Sequence, residues 1–84
     1  MVNVTITPKA LQQADQLPTV IRARVRRIVL RLTDWPQVSG VKPLSGQLAG
    51  RYRVRTADYR VQFSVRRGVI VVEKIGHRDR FYED

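Results

Sequence analysis

The chain contains no cysteine, and among its 84 residues there is one histidine, one methionine and one tryptophan. Without cysteine, disulfide staples and thiol nucleophiles are excluded, and a single histidine argues against a zinc site. No apolar run approaches the ~20 residues that a membrane span requires. The N-terminus, MVNVTITPKA, also lacks the basic start and unbroken apolar core of a secretory signal. A cytoplasmic location is the resulting expectation. Acids are scarce too: seven Asp and Glu stand against sixteen Lys and Arg, for a formal net charge of +9.

What is present fits a small globular protein. An apolar share of 43% over this length supports one modest hydrophobic core, so residues 1–84 are expected to form a single domain, and it is too high for a disordered chain. Thirteen of the sixteen basic residues are arginine, whose planar fork contacts phosphate in a bidentate way that lysine cannot. A field of this sign favours nucleic acid, an anionic membrane surface or an acidic protein as partner. The arginines are also clustered. Residues 1–21 hold only Lys9, residues 22–31 hold five arginines, and residues 51–80 hold nine of the sixteen bases.

The periodicity assigns the elements. VNVTIT at 2–7 alternates Val2, Val4 and Ile6 with polar residues, the period of a half-buried strand. Thr7 before Pro8 reads as an N-cap with proline in the first helical position, opening a short helix that stops near Leu17-Pro18. A second helix runs from Thr19 to about Asp34. Its apolar stripe is Ile21, Val25, Ile28, Val29, Leu32 and Trp35, with Arg22 and Arg26 on one flank and Arg24, Arg27 and Arg31 on the other. Arginines on such a helix are most often a solvated face. QVSGVKPLSGQLAG then reads as a long surface loop.

From Arg51 the period changes to two. Two strands joined near Ala57-Asp58 and a third after Arg67-Gly68, Val69 to Ile75, form an antiparallel meander. The predicted fold class is α+β: an N-terminal strand, a two-helix hairpin, then a three-stranded antiparallel meander, with the helices on one face of the sheet. If Tyr52, Val54, Tyr59, Val61, Phe63 and Val65 face the helices, Arg53, Arg55 and Arg60 project from the other face. Neighbouring like charges destabilise a sheet, so the cluster points to anion binding, although arginines can also be just the wet side of a sheet.

The ending GHRDRFYED, residues 76–84, leaves the last strand beside this face. His77, Arg78 and Tyr82 are expected to fold back toward Arg53, Arg55 and Arg60. Imidazole and phenol are the groups there that can move protons, because guanidinium almost never releases one. With few apolar anchors besides Phe81 and Tyr82, the last eight residues are expected to be loose.

The segment LSGQLAGRYRVRTADYRVQFSVRRGVIVVEKIGHRDRFY, residues 44–82, resembles the RelE/ParE toxin superfamily of bacterial toxin–antitoxin modules. It is most similar to the RelE branch of ribosome-dependent messenger-RNA endonucleases. The shared features are the leucine-glycine loop, the basic strand YRVR, the turn-strand DYRV, a β-branched strand and the GHR…Y ending. The resemblance implies cleavage of the codon in the ribosomal A site: the ribose 2′-hydroxyl attacks the adjacent phosphate, with no metal or other cofactor. It also implies roles. Arg53 and Arg55 match the basic pair, Arg60 the arginine supporting the transition state, Arg78 the arginine near the leaving oxygen, and Tyr82 the tyrosine that orients attack or moves a proton.

One departure is that the best-known RelE members carry lysines in the basic pair, so the general base falls to His77 or Tyr82. Arg22, Arg24, Arg26, Arg27, Arg31 and Arg51 are then expected to contact ribosomal-RNA phosphates. With few aromatic residues to stack on bases, codon preference is expected to be modest. A cognate antitoxin, forming a hetero-oligomer with the toxin, is the other implied partner. ParE-like relatives share the fold but inhibit DNA gyrase without catalysis, and a degenerate toxin that only binds antitoxin or RNA also fits the charge.

Overall fold

The computed structural model describes residues 2–79 and 81. Strand β1 (Asn3–Ile6) leads into helix α1 (Pro8–Asp15), and α2 (Thr19–Arg31) follows, ending in a 3-10 turn over Leu32–Asp34. Then come a short β2 (Val41–Pro43), a second 3-10 turn (Gly46–Leu48), β3 (Arg51–Thr56), β4 (Tyr59–Arg66) and β5 (Val69–His77). The five strands form one sheet in the order β1-β5-β4-β3-β2, with β1 parallel to β5 and every other pair antiparallel.

Local chemistry fixes the ends of the elements. The Thr7 hydroxyl accepts from the Ala10 amide at 3.1 Å and Pro8 takes the first helical position, as the sequence predicts for α1. At the other end of α1, the Arg22 guanidinium donates to the carbonyls of Asp15 and Leu17 at 3.0 and 3.2 Å. These carbonyls have no partner within the helix, so Arg22 closes the corner between α1 and α2. Both meander turns have two residues, and at the second both Arg67 and Gly68 adopt positive φ, the mirror-image turn that matches strand twist.

The core lies between the helices and one face of the sheet. Val25 and Ile28 of α2, with Ala10, Leu17 and Leu32, are buried against Val54, Val61, Phe63, Ile70, Val72 and Ile75. Ile21, Val29 and Trp35 pack at its margin, so the whole predicted helix stripe is used. Trp35 meets Tyr52 and Phe63 edge-on at 4.9 and 5.5 Å between ring centroids, closing the β3 end of the core.

Two features depart from the sequence expectation. The stretch predicted as a surface loop contains β2, which pairs with β3 through Val41↔Val54 and Pro43↔Tyr52. Three residues with one proline carry too little alternation to register as a strand. The second departure is a β-bulge. The register of β4 on β5 runs Gln62↔Lys74 and then Phe63↔Val72, leaving Glu73 as the extra residue.

Candidate anion-binding face and its surroundings

Pairing register decides which side chains share the face turned away from the helices. Arg55 lies opposite Arg60, and Arg60 opposite Gly76. One step along, Lys42, Arg53, Gln62 and Lys74 form a continuous row across β2, β3, β4 and β5. A further step brings Arg51 opposite Ser64 and Val71. With Arg66 at the end of β4, opposite Val69, seven bases therefore project from one sheet face. Among the described strand residues there, Glu73 is the one acid, and it engages the Arg51 Nε at 2.9 Å. The Nε atoms of Arg53 and Arg60 are shielded from solvent, so both side chains lie close along the sheet, whereas Arg55 is exposed.

Arg53, Arg55 and Arg60 are together on this face as the alternation predicts. Arg51 belongs to it as well, held by Glu73. Lys42 and Lys74 were not among the predicted site residues. Lys42 sits in the unrecognised β2. Lys74 was hidden because alternation from Ile70 and Val72 would carry it inward, and the bulge turns it outward instead while sending Ile75 to the core.

The ending of the chain departs from expectation. His77 pairs with Tyr59, one position beyond the Arg60–Gly76 pair, and therefore projects to the helix side of the sheet and not toward Arg53, Arg55 and Arg60. Its ring meets Tyr59 edge-on at 5.1 Å, and its Nδ1 accepts from the Asp79 amide at 3.2 Å. The physical cause is strand parity: β5 continues through His77, so the imidazole alternates with Gly76 instead of following it. Arg78 is exposed beyond the strand, its amide donating to the Asp58 carbonyl at 2.7 Å and its Nε 3.8 Å from the Asp58 carboxylate. Tyr82 lies outside the described residues.

Phe81 is one of the two apolar anchors that the sequence offers in its final stretch; Tyr82, the other, lies outside the described residues. Phe81 is 1% exposed yet stands apart from the main core cluster. A Cβ on Gly76 would meet its ring at 3.7 Å, and the Lys74 ammonium lies 4.7 Å from its centroid. Phe81 thus covers the β5 end of the basic face, beside Arg60 in the neighbouring row.

Beyond Val72, no strand among the described residues lies on the outer side of β5, because β1 ends at Ile6. The side chain of Gln13 on α1 satisfies the Ile75 amide there at 2.8 Å. A cavity of about 410 Å³ opens around this edge, lined by Gln13, Gln16, Leu17, Lys74, Gly76, His77 and Phe81. It joins the basic face to the side on which His77 lies.

The helical arginines divide into two groups. Arg24, Arg27 and Arg31 border a groove with Arg55 and Thr56, where α2 overhangs the end of β3. Arg22 and Arg26 instead rim an apolar groove with Ile6, Leu11 and Val29, and Arg22 is also committed to the α1 corner. Among the described residues no helix is long and apolar enough to cross a membrane.

Helices on one face of a five-stranded sheet and cations on the other define a small α+β architecture, and solved structures carry the same fold. The toxin–antitoxin complex RelBE2 from Mycobacterium tuberculosis matches with a TM-score of 0.79 at 28% identity, covering 92% of this chain and 98% of that one. The archaeal RelE–RelB complex from Pyrococcus horikoshii OT3 matches at 0.75 and 28% identity, covering 94% and 97%. The isolated E. coli RelE toxin, at 0.78 but 17% identity over 92% of this chain and 84% of that one, shares the fold alone. No curated protein matches in sequence. The model of the family described as ParE toxin of the type II toxin–antitoxin system, parDE, matches residues 4–82, and the chain belongs to that family.

Proposed function

We propose that this toxin acts on RNA, as an endoribonuclease that cleaves messenger RNA in the ribosomal A site and so stops translation. The observation that carries this reading is the basic face itself, where Arg53, Arg55, Arg60 and Lys74 occupy adjoining rows. Directly opposed like charges cost stability, and an anionic polymer drawn across the face offsets that cost.

The reaction needs no nucleophile from the protein. The ribose 2′-oxygen attacks the adjacent phosphorus while the bond to the 5′-oxygen breaks, giving a 2′,3′-cyclic phosphate and a 5′-hydroxyl. Negative charge builds on the phosphoryl oxygens, and Arg53, Arg55 and Arg60 stabilise it. The 2′-hydroxyl proton passes to His77 or Tyr82, and the leaving 5′-oxygen takes up a proton from solvent water beside Arg78, which stabilises its developing charge. His77 would serve substrate from the open edge of β5, where its cavity meets the basic face. Arg24, Arg27 and Arg31 hold ribosomal-RNA phosphates without reading sequence. A cognate antitoxin covers this surface when the toxin is silent, a reading supported by the toxin–antitoxin complexes among the structural relatives.

A second reading is inhibition of DNA gyrase by binding, favoured by the ParE family match and by the separation of His77 from the arginines. Incubating the protein with translating ribosomes and mapping message ends by primer extension separates the two. Codon-phased cuts are expected, with Arg60→Ala slower by about 10²-fold or more. Intact message together with blocked gyrase supercoiling would establish the second reading. Equal cleavage rates for wild type, His77→Ala and Tyr82→Phe would remove those residues from proton transfer.

A further inference from the structure

Strict alternation along β5 would place Lys74 on the core side with Val72 and Ile70. The bulge at Glu73 reverses this, so that Lys74 lies across from Gln62 in the row of Lys42 and Arg53. Its diagonal neighbour on β4 is Arg60, a separation of ~7–8 Å between backbone positions that long side chains bridge. The ammonium rests 4.7 Å from the centre of the buried Phe81 ring, which fixes its height above the sheet. The bulge is tied down from its other side by the Arg51–Glu73 pair.

We propose that Lys74 contacts an RNA phosphate on the basic face, beside Arg53 and Arg60. The inference rests on the RNA reading of the face. Its chemistry differs from that of the arginines. A guanidinium fork grips two oxygens in one plane, whereas an ammonium on a four-carbon stem is a point charge that follows one oxygen as the phosphate changes shape. Bulges re-aim side chains beside functional sites, and this one turns outward the only lysine of β5. A fold selected for stability alone would not add a seventh cation to a face already carrying six.

The test measures binding of a short single-stranded RNA with 2′-O-methyl riboses, which cannot supply the attacking hydroxyl. Fluorescence anisotropy gives the association constant between about 50 and 200 mM salt. Each phosphate contact on a single strand contributes about 0.7 to the slope of log K against log salt, so Lys74→Ala is expected to reduce the slope by about that amount. Lys74→Arg retains the slope, and Lys9→Ala on α1 leaves it unchanged. Lys74→Gln, which keeps part of the stem over Phe81 and loses only the charge, repeats the measurement in case the alanine variant unfolds. If the wild type binds and both Lys74→Ala and Lys74→Gln keep its slope, Lys74 merely covers Phe81, and the inference fails while the RNA reading stands. A wild type with no salt-dependent RNA binding would overturn both.

Discussion

Arg55 of β3 and Arg60 of β4 are direct partners in an antiparallel pair, so two guanidinium groups leave the same sheet face from positions ~5 Å apart. One of them is exposed and the other lies against the sheet. Their juxtaposition is a cost to the free protein and an asset once an anion is bound.

Removing one charge from this pair is expected to separate stability from activity. Arg55→Gln should raise stability by a few tenths to about 1 kcal/mol, which corresponds to an increase of up to several degrees in melting temperature. Message cleavage should fall in the same variant. Thermal unfolding followed by circular dichroism, alongside the primer-extension assay, checks both. A variant that melts lower than the wild type would show that the pair is not repulsive.

The open edge of β5 depends on one side chain. Gln13→Ala leaves the Ile75 amide without its partner at 2.8 Å, at a cost of about 1–3 kcal/mol, nearer the lower figure because water can enter the adjacent cavity. Denaturant midpoints give the total. Hydrogen exchange at the Ile75 amide localises it, and protection equal to wild type would refute the assignment.

Phe81 is expected to hold the end of the chain in place. Phe81→Ala should destabilise by about 3 kcal/mol, the lower end for a buried ring, since the ring stands outside the main core and borders a cavity that water can enter. Urea unfolding checks the magnitude. The same change withdraws the surface beneath the Lys74 ammonium, so RNA binding should weaken together with stability.

Most of the architecture is legible in the sequence because its signals are local. Thr7-Pro8 announces α1, the stripe from Ile21 to Trp35 defines the buried side of α2, and Arg67-Gly68 marks a turn. The grouping of Arg53, Arg55 and Arg60 follows from alternation within two adjacent strands. What escaped depends on register between strands. The bulge at Glu73 changes the parity of everything after it on β5, and no composition signal marks it. Lys74 therefore emerged on the basic face and His77 on the opposite side. β2 escaped because three residues cannot display a period, and Lys42 with it.

The pairing of β1 with β5 has a temporal consequence. The Thr5 hydroxyl reaches the Ile70 carbonyl across 65 positions of sequence, and among the described residues β5 is the one strand beside β1. During synthesis the first strand must wait for the last, so the sheet cannot close on a partly made chain. The rows that span β3, β4 and β5 are therefore complete as a surface only once β5 has been synthesised, long after β1 has left the site of synthesis.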